Sequence, residues 1–332
     1  MKKRILSFTL VLILAMGMLI ACGKKAPSEL TKVTLNEVAH SIFYAPMYVA
    51  IEEGYFKDEG IEITLVTGFG ADKTMTALLT GDADVGFMGS ESSVYTYLNG
   101  AKDYAVNFAQ LTQRAGNFLV ARENISDFSW TDLKGSNVLG GRAGGMPEMI
   151  FEYILKDNGF DLAKDLTIDQ SIDFGSTAAA FSGGQGDFTI EFEPHATLLE
   201  EKGDGHVIAS LGESSGYVPY TAFCALSSYI EKKPEIIQGF TNALQRGMEY
   251  VSKHTGKEIA QIIAPQFEGT ELSTITTIVQ RYLDQDTWKN DLVFEETSFV
   301  LLQDILDQAG ELPGRVPYEK LVTTKFAMEA IK

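Results

Sequence analysis

Cysteine and histidine are scarce in this chain. Among 332 residues there are two cysteines, Cys22 and Cys224, and four histidines. Neither a CxxC nor an HxxxH spacing occurs, so the sequence lacks the usual ligand sets for zinc or iron. We therefore expect no metal and no cofactor.

Long repeats, low-complexity tracts and nucleotide-binding motifs are also missing. No period typical of a solenoid is present. The glycine-rich run GGRAGGM at residues 140–146 matches neither the dinucleotide-binding nor the P-loop pattern. The chain is therefore not expected to be a solenoid or a nucleotide-binding protein.

Basic residues are outnumbered, with 27 Lys and Arg against 45 Asp and Glu, and the net charge is −18. Such an acidic chain is repelled by nucleic acid and by anionic lipid headgroups. We interpret the charge as a source of solubility and expect no nucleic-acid partner.

The N-terminus has the pattern of a targeting segment. Basic residues 2–4 precede an almost wholly apolar run, residues 5–21, which ends at Leu19-Ile20-Ala21-Cys22. This ending resembles a bacterial lipobox, which predicts a signal peptide at 1–21, a lipid on Cys22 and a flexible tether at 22–30. Cleavage would make the net charge −21, because three basic and no acidic residues are removed. An uncleaved anchor helix is the alternative, and either would tether the body to the outer side of the cell membrane.

Lipidation of Cys22 would leave Cys224 without a disulfide partner. Cys224 lies in the apolar run TAFCAL at residues 221–226, and this environment favours a buried, inert thiol over a nucleophile.

Residues 36–56, NEVAHSIFYAPMYVAIEEGYF, predict a strand, a polar and aromatic turn, and a helix. Pro46 suits the first turn of a helix, and Gly54 suits its end. A turn of this kind lies at the C-terminal edge of a sheet, where open α/β folds bind ligands.

Similar strand–turn–helix units follow in two series. The last third of the chain is mostly helical, with a long helix expected at 234–253 and a helical tail at 318–331. The length suggests two domains, and the alternation of elements predicts largely parallel sheets covered by helices. We expect an α/β fold of two lobes: lobe 1 from residues 31–118 plus 225–332, and lobe 2 from residues 119–224. The chain would cross between them twice, on paired hinge strands.

Four runs occur in the order seen in one transporter family: HSIFYAPMYVAIEEGYFKDEGIEITL, TALLTGDADVGFMGSES, DLKGSNVLGGRAGGMPE and GDFTIEFEP. Together they resemble the substrate-binding lipoproteins of ABC importers, in the branch that binds sulfonate, nitrate, taurine and thiamine-type pyrimidines. The resemblance implies a type II periplasmic-binding-protein fold with two crossover strands and a ligand cleft. It also implies a membrane permease and a cytoplasmic ATPase as partners, and we expect a monomer.

The turns before helices supply the candidate ligand contacts, because free amides and the positive end of the helix dipole face the cleft there. Lobe 1 contributes His40, Phe43, Tyr44, Ser90, Glu91 and Ser92. Lobe 2 contributes Gly144, Gly145, Met146, Phe174, Ser176 and Glu193, and Gln113 and Tyr220 lie near the crossings.

Helix N-termini alone would favour an anion, but the acidic and aromatic side chains favour a flat ring that donates hydrogen bonds. The resemblance implies that an acid holds a ring amino group in the pyrimidine-binding members. Glu193 is the position matched here, and Glu191 is the alternative, because strand alternation puts both on one face if the strand continues through residue 193.

We therefore predict an extracytoplasmic binding protein for a thiamine-type pyrimidine or similar heterocycle, not an enzyme. A sulfonate, taurine or nitrate ligand is the alternative within the family. A pyrimidine-forming enzyme of the same fold is disfavoured, because the cysteine-rich iron-binding run of those enzymes is missing.

Overall fold

The computed structural model describes residues 29–172 and 174–332. The predicted signal peptide, Cys22 and residues 22–28 of the tether lie outside this part of the chain and remain predictions. Among the described residues, no helix combines the length and the apolar character of a bilayer-spanning segment.

The first lobe begins with alternating strands and helices, as predicted. Its elements are β1 (Thr31–Glu37), α1 (Ala45–Glu52), α2 (Tyr55–Asp58), β2 (Ile61–Thr67), α3 (Ala71–Thr80), β3 (Val85–Gly89), α4 (Glu91–Leu98) and β4 (Ala105–Thr112). Strand β1 pairs in parallel with β2 and β3. The turns that follow β1 and β3 therefore lie at the same edge of the sheet.

The second lobe repeats this plan. Its elements are β5 (Asn117–Ala121), β6 (Asn137–Leu139), α5 (Met146–Asp157), β7 (Thr167–Asp169), α6 (Thr177–Ser182), β8 (Phe188–Phe192), α7 (His195–Lys202), β9 (His206–Ser210) and α8 (Leu211–Ser214). Short 3-10 helices occur at Trp130–Leu133 and Phe174–Ser176. Strand β6 pairs in parallel with β7 and β8.

The two sheets are linked by two crossings. The orders are β2-β1-β3-β10-β4 and β7-β6-β8-β5-β9, where β10 is Thr221–Leu226. After each crossing the new strand enters the other sheet antiparallel: β5 lies between β8 and β9, and β10 lies between β3 and β4. The predicted two-lobe α/β fold is confirmed.

Strand pairing assigns residues 117–118 to the second sheet and residues 221–224 to the first. This differs by a few residues from the lobe limits predicted at 118/119 and 224/225. The difference arises because hydrogen-bond partners decide which sheet a strand joins, and the sequence does not display those partners.

The C-terminal third is helical. It contains α9 (Ser227–Lys232), α10 (Pro234–Lys253), α11 (Gly256–Ile263), a 3-10 turn (Ala264–Gln266), α12 (Leu272–Asp284), α13 (Glu296–Gln308), α14 (Tyr318–Leu321) and α15 (Lys325–Ala330). Helix α10 packs against α1 so closely that a Cβ at Gly247 would lie 2.2 Å from the carbonyl oxygen of Pro46. This packing attaches the helical part to the first lobe.

The helical tail predicted at 318–331 is wrong in one respect, because the structure has two short helices there. Val322 adopts an extended conformation and forms a bridge with Asn107 of β4. The backbone N–H of Thr323 also donates to the carbonyl of Asn107 at 2.9 Å. Pairing with the sheet edge therefore replaces the helical hydrogen bonds at this point.

Candidate ligand-binding site between the lobes

The turn after β1 is shaped by local hydrogen bonds. Ser41 is in an extended conformation, and its hydroxyl accepts from the backbone N–H of Phe43 at 3.3 Å, which starts a 3-10 turn at Ile42–Tyr44. Pro46 lies in the first turn of α1, and Gly54 takes a φ of 75° after the helix. The predicted strand–turn–helix is therefore present.

His40 is held by protein groups on both sides of its ring. Its Nδ1 lies 2.8 Å from the carboxylate of Glu37, and its Nε2 lies 2.7 Å from the carbonyl of Gln266. Both neighbours are acceptors, so the doubly protonated ring fits best, and the hydrogen bond to Glu37 raises the pKa of His40. The ring also packs at 4.8 Å against Phe267. His40 thus supports the turn from the first lobe, and its ring nitrogens are both engaged.

An aromatic cluster joins the two lobes beside this turn. The fully buried ring of Phe43 has its centroid 5.3 to 5.7 Å from four other rings, those of Tyr44, Phe192, Tyr220 and Tyr282. Phe192 ends strand β8 of the second sheet, whereas Phe43 belongs to the first lobe. The predicted residues Phe43, Tyr44 and Tyr220 are therefore brought together at the junction.

Glu91 reaches from the first lobe towards the second. It is the first residue of α4 and is 3% exposed, and its Oε2 atom has no hydrogen-bond partner among the described residues. Burial raises the pKa of Glu91 to about 7, although Arg142 and a hydrogen bond from the backbone N–H of Met146 act in the opposite direction. The carboxyl group therefore faces the N-terminus of α5 in the second lobe.

The two serines beside Glu91 have structural contacts. The Ser90 hydroxyl donates to the carbonyl of Pro219 at 2.5 Å, which fixes this turn to the segment before β10. The carbonyl of Ser92 accepts from the Thr96 hydroxyl at 2.7 Å. Both serines are buried.

The glycine-rich turn of the second lobe meets the first lobe directly. Gly144 has a φ of 73°, its N–H donates to Glu148 Oε2 at 3.2 Å, and its carbonyl accepts from the Tyr95 hydroxyl at 3.1 Å. Gly145 caps α5, and the buried Met146 begins it. The positive φ explains why glycine suits position 144.

The two competing acids differ in position and in partners: Glu191 lies on β8, whereas Glu193 lies in the turn after it, because the strand ends at Phe192. Glu193 Oε2 accepts from the Thr197 N–H, and Oε1 accepts from the Thr197 hydroxyl, both at 2.9 Å; Oε1 also pairs with Arg281 Nη1 at 2.6 Å. Glu191 is fully buried, and its Oε1 accepts from the Thr189 hydroxyl at 2.7 Å, but its Oε2 has no partner among the described residues. Burial raises the pKa of Glu191 to about 7, while the hydroxyls of Thr189 and Thr177 act to lower it.

Two predicted residues, Gln113 and Ser176, lie at the margin of the site. The side chain of Gln113 donates to the carbonyls of Asp286 at 3.1 Å and Trp288 at 3.4 Å, so it braces the first crossing. Ser176 is exposed at the end of a 3-10 turn. The side chain of Phe174 falls outside the described part of the chain.

The prediction missed several residues at the junction, including Asn117, Phe192 and Arg281. Asn117 Oδ1 accepts from the Tyr220 hydroxyl at 2.6 Å, and its buried Nδ2 has no acceptor among the described residues. An asparagine opening the strand after the first crossing was a usable signal for it. Arg281, on a C-terminal helix far along the chain, offered no such signal. Within the described ranges, no group of three or more His, Cys, Asp or Glu side chains is arranged to hold a metal ion.

Solved structures share this fold. The alkanesulfonate-binding protein SsuA from Xanthomonas axonopodis pv. citri, bound to MOPS, has a TM-score of 0.71 at 17% identity, covering 90% of this chain and 99% of its own. The periplasmic nitrate-binding protein NrtA from Synechocystis PCC 6803 has a TM-score of 0.75 at 15% identity, covering 91% and 88%. The desulfurization enzyme DSZB has a TM-score of 0.65 at 13% identity, covering 91% and 99%. The fold therefore occurs in binding proteins and in an enzyme, and by itself it does not decide the function.

Sequence comparison is more specific. YtlA of Bacillus subtilis (strain 168), named as a candidate binding protein, is 46% identical over 315 residues, which cover 95% of this chain and 94% of YtlA. The family model described as NMT1/THI5 like matches residues 42–257. The chain belongs to the NMT1/THI5-like family.

Proposed function

We propose that this protein captures a small solute between its two lobes and delivers it to an ABC importer. Support comes from the two crossings, which allow hinge motion, and from the aromatic and acidic side chains that both lobes place at the junction. Capture and closure require no bond chemistry, so we propose a binding protein and not an enzyme.

The proposed ligand is an aromatic heterocycle that donates hydrogen bonds, of the thiamine-type pyrimidine class. The observation that carries this comes from three of the seven buried side-chain polar atoms that lack a partner in the described part of the chain: two carboxylate oxygens, Glu91 Oε2 and Glu191 Oε2, and one amide donor, Asn117 Nδ2. A buried polar atom without a partner is unfavourable by about 1 to 3 kcal/mol. An aminopyrimidine offers amino donors for the carboxylates and a ring nitrogen for the amide, and its flat face suits the aromatic cluster.

A sulfonate or nitrate fits these atoms less well. Such anions carry only acceptors, so they would be repelled by ionised Glu91 and Glu191. The helix N-termini, Asn117 and the guanidinium of Arg142 near Glu91 would favour them.

Among the acids, we now favour Glu191 and Glu91 over Glu193 as ligand contacts. Both oxygens of Glu193 are already used by Thr197 and Arg281, and a ligand would have to compete with those bonds. The earlier choice of Glu193 rested on a motif match, and the motif does not show which carboxylate is free.

The proposal includes an extracytoplasmic location, with a lipid on Cys22 as the anchor, and a permease and its cytoplasmic ATPase as partners. If it is right, the Cys22→Ser variant will lose fatty-acid labelling and leave the membrane fraction. Labelling that persists in the variant would rule out Cys22 as the site.

The ligand is tested by a thermal-shift and calorimetry screen of an aminopyrimidine, an alkyl sulfonate, taurine and nitrate. A specific ligand at about 100 times its dissociation constant adds about 2.7 kcal/mol to the free energy of unfolding. We expect this gain for the aminopyrimidine, with one-to-one binding. Stabilisation by the sulfonate, taurine or nitrate alone would overturn the ligand assignment but not the transport role.

Variants locate the site. Glu191→Gln replaces one carboxylate oxygen, a hydrogen-bond acceptor, by an amide NH₂ group, a donor. We therefore expect about tenfold weaker aminopyrimidine binding. Glu62→Gln is the matched control, since Glu62 is an exposed acid on strand β2. Equal binding by both variants would place the ligand away from Glu191.

A further inference from the structure

A strip of polar contacts joins α12 of the first-lobe side to α7 of the second lobe. Arg281 Nη1 pairs with Glu193 Oε1 at 2.6 Å and donates to the Thr197 hydroxyl at 3.1 Å, and Arg281 Nη2 pairs with Glu200 Oε2 at 2.9 Å. Two helical turns earlier on α12, the Thr274 hydroxyl donates to Glu201 at 2.7 Å. The two helices therefore lie side by side, with their polar faces in contact.

The sequence spacing places these groups on matching faces. Thr274 and Arg281 are seven residues apart on α12, and Thr197 and Glu200 are three residues apart on α7, whereas Glu193 lies in the turn just before α7. Residues separated by three or seven positions share one face of a helix. Polar side chains on one face of α12 thus meet polar side chains of α7 and of the turn before it, which belong to the other lobe.

The attachment of α12 to the first lobe follows from its other contacts. It packs on α11 and on the 3-10 turn Ile42–Tyr44, and its Tyr282 ring lies 5.3 Å from that of Phe43. On the other side, α7 follows β8 of the second sheet. A hinge motion that separates the lobes must therefore break the contacts of Arg281.

We propose that Arg281 forms, with Glu193 and Glu200, a latch that holds the lobes closed without any ligand. A second bond supports it, because the Ser41 hydroxyl donates to the carbonyl of Glu193 at 2.8 Å. The latch members are polar and regain water on opening, so the closure is reversible. Arg281 is a positioning residue, since its partners are protein carboxylates.

The latch changes binding by setting the closed fraction. A ligand that needs both lobes binds the closed form, and its apparent dissociation constant is the intrinsic value divided by the closed fraction. In the closed form of the Arg281→Gln variant, the carboxylate of Glu193 has lost its cation. The side chain of Glu193 is 0% exposed there, so water does not replace the arginine. Opening returns this carboxylate to water, so the variant favours the open form.

Small-angle scattering of the ligand-free protein tests the latch without knowledge of the ligand. We expect Arg281→Gln to have a larger radius of gyration than the parent, and Arg315→Gln to match the parent. Arg315 is a fair control because it pairs with Asp304 within the C-terminal helical part. Equal radii for the parent and Arg281→Gln would overturn the proposal.

Glu200→Gln is the second variant, in case Arg281→Gln does not fold. This substitution removes the ion pair between Glu200 and Arg281. Because Glu200 is partly exposed and Arg281 still pairs with Glu193, no buried charge is left without a partner. We expect a smaller increase in radius, and an unchanged radius in both folded variants would refute the latch.

Where a ligand is identified, Arg281→Gln should bind it about tenfold more weakly if the closed fraction falls about tenfold. The binding measurement rests on the proposed function, whereas the scattering measurement does not. A changed radius with no ligand found would support the latch and leave the transport role unsupported.

Discussion

Replacing Glu191 by glutamine should make the protein more stable at alkaline pH. The ordinary pKa of a glutamate is about 4.3. Each unit by which the pKa rises makes ionisation in the folded protein less favourable by about 1.4 kcal/mol. Burial raises the pKa of Glu191 to about 7 in the folded protein. Ionising this side chain in place is therefore unfavourable by about 3 to 4 kcal/mol.

The sign follows from proton linkage. Below about pH 4 Glu191 is protonated in the folded and unfolded states, so it does not lower the free energy of unfolding of the parent. As the pH rises to about 7, the unfolded chain releases this proton while the folded protein keeps it, and the free energy of unfolding falls. Above pH 7 the whole loss is present. A glutamine is neutral throughout and avoids it.

The assay is urea unfolding of the parent and Glu191→Gln at pH 5 and pH 8. We expect the variant to gain about 1 kcal/mol at pH 5 and about 3 to 4 kcal/mol at pH 8, with the second value as an upper figure. Glu62→Gln, on an exposed strand position, should show no such difference between the two pH values. If the gain from Glu191→Gln is the same at both pH values, the reasoning about burial is refuted.

Two further predictions concern the core. Phe43→Ala removes a fully buried ring that contacts aromatic residues of both lobes. The free energy of unfolding measured in urea titrations should therefore fall by about 3 to 5 kcal/mol. A loss under about 1 kcal/mol would contradict the packing of this ring. Burial raises the pKa of Cys224 to about 12, so in a Cys22→Ser background the native protein should not react with a thiol reagent at pH 8 and should react once it is unfolded. Fast labelling of the native protein would show that Cys224 is accessible.

Most elements were predictable because their signals are local. Periodic apolar residues gave helix α10 its observed limits, Pro234–Lys253, and Pro46 and Gly54 marked the two ends of α1. The aromatic residues of the turn after β1 were also found, because a strand followed by a helix places that turn at a sheet edge. The split of the C-terminal tail was missed, since it depends on pairing between Val322 and Asn107, which are far apart in sequence.

The sequence by itself determined the family, the alternation of strands and helices, and the acidic and aromatic character of the junction. These follow from residue type and spacing, which the chain carries locally. Only the tertiary structure decided which carboxylates keep a free oxygen. Glu191 lies on strand β8 and Glu193 lies in the turn directly after it, yet of the two only Glu193 meets Arg281, 88 residues further along. An ion pair of this kind depends on how a distant helix packs, so the free acid can be identified only when the lobes are folded and in contact.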